Sequence, residues 1–489
     1  MSLLEKLLGN LAQDFNLISF MATIWNQDEL ALALGNQVVN SYLNKEIIVD
    51  EVVIDSRKIT KSGLFIAIKG ENNDGNFFAK SAVENGSKTL ILDNLEVFNK
   101  LKLNKKINLF LVKNSFDSLY KLAAFSRNRS KGKIIAITGS VGKTSTKEML
   151  KNAFSLLGKT FATIGNLNNH FGVPLSLCNF SKNCDFGIFE MGMNHIGEIT
   201  PLTELVRPDL AIITNVFPVH IEFFKDEEEI ALAKSEIFLG LKKDGIALIN
   251  ADNKHFHFLK SRLEDLKIKN QISFSQNIKG NYQILSSKLL DISSSQVIAK
   301  LKNGEEISYE ISSTNEAIIF NSIIVIAAIC ELGGNISKAI FSFKTLENYS
   351  KRGQIFEKEI NGKKILVIDD SYNASLPSMK AGIKHAINLK NLLGKNRVVI
   401  ALGDMLELGT KSAQIHEEVL EFASNLKIDF AILVGSNMAL ACKNIDLKAV
   451  IFANSNLASK EISGLLENDD ILYIKGSRGI KMENLIKNV

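Results

Sequence analysis

The sequence predicts an α/β protein of three domains: a small α/β unit, a central parallel sheet and a doubly wound C-terminal sheet. Three observations carry that reading. Short apolar runs rich in Ile, Val, Leu and Ala alternate with amphipathic stretches along most of the chain, as strands buried on both faces alternate with crossover helices. The chain has 489 residues, room for roughly three domains at ~100–200 residues each. The alternation also changes character near residue 120 and restarts near residue 346.

Residues 1–20 read as an extension, with Leu3, Leu4, Leu7, Leu8 and Leu11 on one face of a possible amphipathic helix. They lack the basic start and small-residue cleavage site of a signal peptide. Met21 opens the first domain, 21–120, in which EVVIDSRKI, LFIAIKG, KTLIL and INLFLV are strands and FFAKSAVEN is a helix closed by Gly86. The second domain, 121–345, begins with the strand KIIAIT, a Gly-rich turn, and a helix carrying Met149, Leu150, Ala153, Phe154 and Leu157 on one face. FGIFE, LAIIT and GIALIN are its further buried strands, and EEEIALAKSEIFLGL is helical. The third domain, 346–489, follows the polar segment NYSKRGQ, the expected linker. There KILVIDD, RVVIALGD, FAILVG, AVIFA and DILYIKG alternate with helices, the pattern of a doubly wound sheet.

Composition removes several classes of function. With 46% hydrophobic and 23% charged residues the chain is globular and not disordered. The net charge of +5 is spread along its length, with no basic stripe interleaved with aromatics, so no nucleic-acid partner is expected. Four cysteines, Cys178, Cys184, Cys330 and Cys442, form no metal-type pair and fit a reducing cytoplasm. The longest apolar run, Ala317 to Cys330, falls short of the ~20 residues a spanning helix needs and is expected to be a core helix.

The strongest local signal is Thr138-Gly139-Ser140-Val141-Gly142-Lys143-Thr144-Ser145, between a strand and a helix. Successive backbone amides in such a turn cradle phosphates, and the helix N-terminus favours their charge. Lys143 is then placed to reach the β- and γ-phosphates of a nucleotide, and the Thr144 hydroxyl to bind Mg²⁺. The first glycine of the strict eight-residue motif is absent, because Ile137 stands in its place. Glu190 at the end of FGIFE, His220 beyond LAIIT, and Lys234 in the following helix lie near strand ends or adjoining helices, where ligands of open α/β sheets gather. Each also has a plainer reading, as a solvated acid, a hydrogen-bonded loop histidine and a surface lysine.

TGSVGKTS, NLNNHFGVP (166–174), FEMGMNHIGEI (189–199), NVFPVHIEFF (215–224), AKSEIF (233–238), INADN (249–253) and IDDSYNASLPSM (368–379) together resemble the Mur ligases. These are ATP-dependent amide-forming enzymes of peptidoglycan synthesis. The resemblance runs in order from about 21 to 489. The long NLNNHFGVP, EMGMNHIGEI and DDSYNASLPSM strings favour the member that adds a dipeptide. It implies a cytoplasmic monomer with three domains: a small α/β domain binding the UDP end of the substrate, a central P-loop ATPase-type domain, and a Rossmann-like C-terminal domain. It implies ATP and Mg²⁺ as cofactors, with UDP-N-acetylmuramoyl-tripeptide and D-alanyl-D-alanine as substrates. Asp55, Ser56 and Arg57 and the Gly70–Phe78 loop match the UDP-side motif, and Asn168 and Asn169 a substrate-side motif. Lys143 matches the phosphate lysine. Thr144, Glu190 and His220 match Mg²⁺ residues, and Lys234 the family's carbamylated lysine. Asn253 falls where adenine is contacted, Arg352 where an arginine meets phosphate, and Asp370 where the ribose is held. Asn253 has a plainer reading as a turn residue, and Asp370 as a strand-end cap.

Two departures stand out. Asn315-Glu316-Ala317-Ile318 replaces a GRHN-like string of the family, and ASLP replaces an Asn-Pro pair near Leu376. Two rival functions share the nucleotide motif: a ligase that adds a single amino acid, and a switch protein that signals by nucleotide state.

Overall fold

The computed structural model describes residues 23–60, 62–219, 221–346 and 353–487. The expected extension over 1–20, most of the linker 348–354, His220 and Arg352 therefore lie outside the described residues. The chain divides into two compact units. One comprises the described residues through Gly132 with Phe171–Cys184, the other Lys133–His170 with the described residues from Asp185 onward.

The first unit is built on β1 (Val38–Tyr42), β2 (Glu51–Val53), β3 (Gly63–Ile66), β4 (Thr89–Leu92) and β5 (Asn108–Val112), in the order β1-β5-β4-β3-β2. β2 to β5 run parallel and β1 is an antiparallel edge. β3, β4 and β5 are buried along their whole length, as strands covered on both faces must be. Phe65, Leu90, Phe98 and Leu109 fill the core beneath them. Helix α1 (Ser115–Arg129) starts at Asn114, whose side chain accepts from the Asp117 amide. The break expected at 120 falls inside this helix. The chain leaves the unit only at Gly132 and returns for the helix Gly172–Cys178, because Cys178 and its neighbours are bonded here. Trp25 Nε1 donates to Cys178 O at 2.8 Å, Ser126 Oγ to Phe180 O at 2.9 Å, and Val52 N to Asn179 Oδ1 at 2.9 Å.

The second unit carries two sheets. The larger contains β6 (Lys133–Thr138), β7 (Thr160–Ala162), β8 (Phe186–Glu190), β9 (Leu210–Ile213), β10 (Ile246–Asn250), β11 (Asn270–Ser275), β12 (Tyr282–Leu289), β13 (Ser295–Lys300) and β14 (Glu306–Ile311). Their order is β14-β13-β12-β11-β10-β9-β6-β8-β7. All neighbours are parallel except β12, β13 and β14, an antiparallel extension that the sequence reading did not anticipate. From β6 the chain moves outward to β7 and β8, then crosses back to β9 on the other side. The carboxyl end of β6 is therefore the switch point where a crevice opens. Helix α2 (Lys143–Ser155) leaves from that point, and α3 (Glu227–Ser235) follows β9. Helix α4 (Glu316–Glu331) contains the long apolar run, buries Ile319 and Ile323 through Ile329, and packs on α2. A spanning role is not needed to explain its apolarity, and among the described residues no helix is long and apolar enough to cross a membrane.

The smaller sheet contains β15 (Gln354–Ile360), β16 (Lys363–Asp370), β17 (Val398–Gly403), β18 (Phe430–Val434), β19 (Ala449–Phe452) and β20 (Ile471–Lys475), in the order β15-β16-β20-β17-β18-β19. Only the β15–β16 pair is antiparallel. Helix α5 (Leu376–Leu393) follows β16 and ends at Gly394 in the left-handed conformation.

Candidate active site

The turn after β6 is held by the end of β9 and not by itself. Asn215 accepts from Ser140 N through its carbonyl and from Val141 N through Oδ1, both at 3.0 Å. Thr214 Oγ1 donates to Val141 O at 2.7 Å, while Ser140 Oγ accepts from Phe217 N at 2.8 Å. A Cβ at Gly139 would overlap Thr214 Oγ1, so glycine is required by the closeness of the two segments. Gly142 caps α2 with φ 82°, a conformation that other residues adopt with strain. The amides of Ser140 and Val141 are thus already bonded within the protein. The anion-facing donors are instead those of the first turn of α2, Lys143 to Ser145, which precede the first intrahelical bond from Thr146 N to Gly142 O at 2.9 Å. Lys143 Nζ folds back onto Gly139 O at 2.6 Å.

Glu190 closes β8 beside this helix. Its Oε1 accepts from Thr144 Oγ1 at 3.2 Å and from Asn168 Nδ2 at 2.9 Å. Its Oε2 is buried and has no hydrogen-bond partner, with the Lys147 ammonium 3.8 Å away. A buried carboxylate oxygen left without a donor carries a desolvation cost that a cation would remove. With the Thr144 hydroxyl next to it, the oxygen pair fits a hard ion such as Mg²⁺, which keeps waters and phosphate oxygens for its other positions. Among the described residues no cluster of three His, Cys, Asp or Glu side chains forms a metal centre without such help.

Lys234, near the end of α3, is 3% exposed, so the surface-lysine reading fails. Burial first, and the charge of Lys143 second, hold its ammonium well below the usual lysine range. Glu236, the obvious counter-ion, is committed elsewhere. It accepts from Gly197 N, Ile199 N, Thr200 N and Thr200 Oγ1 at 2.5–3.1 Å, capping the helix Ile199–Val206.

The other expected residues have their own partners. Asn253 Nδ2 donates to Val216 O at 2.9 Å and its Oδ1 accepts from His255 N at 3.0 Å, which is the turn-residue reading in full. Asp370, at the end of β16, accepts from the buried Lys475 Nζ at 2.5 Å and from Tyr473 OH at 3.4 Å. Asn168 is on Glu190, whereas Asn169 is exposed. In the first unit Arg57 grips Asp55 with two bonds of 2.9 Å and holds its carboxyl below the usual range. Ser56 O accepts from Asn85 Nδ2 at 2.9 Å. Asn315 caps α4, in place of the expected GRHN-like string. Two residues near the site, Asn215 and Lys147, escaped the sequence reading, while Asn321, the helix asparagine behind the altered 315–318 string, has a buried Nδ2 without a partner. Only Lys147 left a signal, one helical turn after Lys143 on the same face.

The Mur ligase middle domain matches residues 137–329, and the Mur ligase glutamate ligase domain matches 351–478. The chain belongs to the Mur ligase family. A UDP-N-acetylmuramoyl-tripeptide–D-alanyl-D-alanine ligase of Rickettsia prowazekii is 36% identical over 468 residues, 95% of this chain and 99% of its own. A crystal structure of MurF from Acinetobacter baumannii superposes with a TM-score of 0.81 at 27% identity, covering 94% of this chain and 98% of the other. A MurF ligase of Thermotoga maritima in complex with ADP gives a TM-score of 0.75 at 26% identity, covering 90% and 96%. This Mur ligase thus shares fold and length with dipeptide-adding relatives.

Proposed function

We propose that this Mur ligase joins D-alanyl-D-alanine to UDP-N-acetylmuramoyl-tripeptide with hydrolysis of ATP to ADP and phosphate, the last cytoplasmic step of peptidoglycan precursor synthesis. The observation that carries the site assignment is the sharing of Glu190 Oε1 between Thr144 on the nucleotide side and Asn168 on the substrate side. The terminal carboxylate of the tripeptide attacks the γ-phosphorus, an O–P bond forms, the bond to ADP breaks, and an acyl phosphate results. The dipeptide amine then attacks the acyl carbon, loses a proton, and phosphate leaves.

Lys143 leaves Gly139 O for the β/γ-phosphates and offsets their charge, and the first-turn amides of α2 orient them. Mg²⁺, when bound, supplies the positive charge that phosphoryl transfer needs. Thr144 and Glu190 hold it, with His220 and a carbamylated Lys234 as further members of the proposed set. The depressed ammonium of Lys234 favours that modification, because the neutral amine is the form that reacts with CO₂. Asn253, Arg352 and Asp370 are assigned to the nucleotide, with Asp370 exchanging Lys475 for the ribose. Asp55, Ser56 and Arg57 are assigned to the UDP end, and Asn168 and Asn169 to the peptide. The corresponding domains are those expected at 21–120, 121–345 and 346–489, with the first break moved to Gly132 where the chain leaves the first unit, after an extension over 1–20, in a cytoplasmic monomer. Closure of the third domain over the second would place Asp370 on the ribose and exclude water.

Mass spectrometry of the product from ATP, UDP-muramoyl tripeptide and D-alanyl-D-alanine tests the proposal. The pentapeptide is expected with one ADP per amide bond. Preference for a single amino acid as acceptor would transfer the assignment to the sister ligases. Nucleotide hydrolysis without an amide product would favour a switch.

A further inference from the structure

Lys147 is fully buried, an unusual place for a lysine, and the reaction above gives it no task. It sits one turn along α2 from Lys143 and on the same face. Its Nζ donates to Gly165 O at 2.9 Å and pairs with Glu148 Oε1 at 3.0 Å and Glu190 Oε2 at 3.8 Å. Gly165 belongs to an exposed turn that runs from Ile164 to the substrate-side Asn168. Within that turn Asn168 N donates to Asn166 O at 2.8 Å, and Asn168 O accepts from Gly192 N at 2.8 Å. The turn is therefore held at one end by the ammonium of Lys147 and at the other by Glu190 and the segment that follows it. An apolar side chain of the same length would fill the space but leave Gly165 O and Glu190 without the buried cation.

We infer that Lys147 is a positioning residue that fastens the Ile164–Asn168 turn to Glu190, so that the substrate-side asparagine is set by the same helix that carries Lys143 and Thr144. The ligase reading underlies this inference. Lys147 touches neither nucleotide nor peptide, and it acts through the turn. The consequence is a selective one: its loss loosens the grip on the muramoyl tripeptide more than the grip on the nucleotide or the dipeptide.

Lys147→Met and Lys147→Arg in the full chain decide it, with hydrogen–deuterium exchange and steady-state kinetics as separate readouts. In Lys147→Met the amides of residues 164–168 should exchange faster while those of β6 keep their protection, and this holds whether or not the chain is a ligase. The KM for UDP-muramoyl tripeptide should rise roughly tenfold, with the KM for D-alanyl-D-alanine nearly unchanged. Lys147→Arg, which retains a donor cation, should recover part of the loss. In combination with Asn168→Ala the Met substitution should add little, because both act on one turn. Unchanged exchange at 164–168 would overturn the inference, as would full additivity with Asn168→Ala. An altered Mg²⁺ requirement with an unchanged tripeptide KM would overturn it too, making Lys147 a partner of Glu190 alone. A wild-type protein that makes no amide would overturn the ligase reading, while the exchange result would still decide the role of Lys147 in the turn.

Discussion

At the carboxyl ends of the two sheets of the second unit, buried acids meet opposite surroundings. Beside β6, Glu190 has one oxygen shared by two donors and the other without any. Beyond β17, Asp404 accepts from Asn437 N, Asn437 Nδ2 and Met438 N at 2.8–3.2 Å. Asp370 is paired with the buried Lys475. The strand that ends in Glu190, FGIFE, and the one that precedes Asp404, VVIALG, are both apolar and almost wholly buried. The difference lies in what the protein leaves undone. A carboxylate whose bonds are all supplied by the chain fixes a loop, whereas one left half empty awaits a ligand.

Substitutions that break this contrast should separate activity from stability. The largest effect is expected from Lys143→Ala, at the half-empty end. Removing a charge aimed at the phosphates should lower kcat by about 10³-fold, with the melting temperature nearly unchanged and affinity for the UDP substrate retained by calorimetry. Loss of UDP-substrate affinity would show that the two sites are not independent. Lys234→Ala should fall by about 10²-fold and recover in part with added acetate, which restores a carboxylate in the space vacated. Lys234→Arg keeps the charge but forms no stable carbamate and should stay inactive, so substantial turnover by the Arg variant would refute carbamylation.

The saturated end should answer in the other measurement. Asp404→Asn turns an amide group toward backbone N–H donors and should cost about 1–3 kcal/mol in urea unfolding, leaving the KM values of the folded enzyme in place. A loss of turnover without a loss of stability would erase the distinction drawn between Glu190 and Asp404.

The contrast also explains what could be read from the sequence. The strands KIIAIT, FGIFE, LAIIT, GIALIN, KILVIDD, RVVIALGD, FAILVG and DILYIKG were legible, because a continuous apolar run flanked by turn residues has few other fates. The short β7 and the half-polar β11 and β15 were not read. Nor were strands β12 to β14. SSKLLDISSSQVIAK lies partly exposed in antiparallel pairing and carries no clean alternation, while EISYEI of β14 does alternate but is only six residues long and was passed over. Glu190 and Lys234 were singled out by position and resemblance, and their burial sets aside the solvated-acid and surface-lysine readings. Asn215 was missed because its work is the capture of two backbone amides, which leaves no charge pattern or spacing to notice. The break at 120 failed for a similar reason, since nothing local in α1 announces that the Gly172–Cys178 segment will return to it.

The last effect appears only when the pH is lowered, and it concerns the join between the two sheets, where neither end is half empty. His385 on α5 is buried, and its Nε2 lies 3.0 Å from Thr314 Oγ1, just before α4. Burial lowers its pKa to about 4 from an ordinary 6.5. Between those values the unfolded chain binds the proton and the folded chain does not, so stability must fall as the pH drops through this window. Above about pH 7 both states are neutral and the histidine contributes no slope. At pH 5 the expected loss relative to pH 7.5 is about 2 kcal/mol, approaching about 3 kcal/mol below pH 4. His385→Gln keeps a polar partner for Thr314 and cannot titrate. Its unfolding free energy should therefore be flatter than that of the wild type between pH 7 and pH 4, with the two slopes equal above pH 7. Equal slopes across the whole range would mean that His385 takes up its proton without unfolding the join, and that water reaches the ring between α4 and α5.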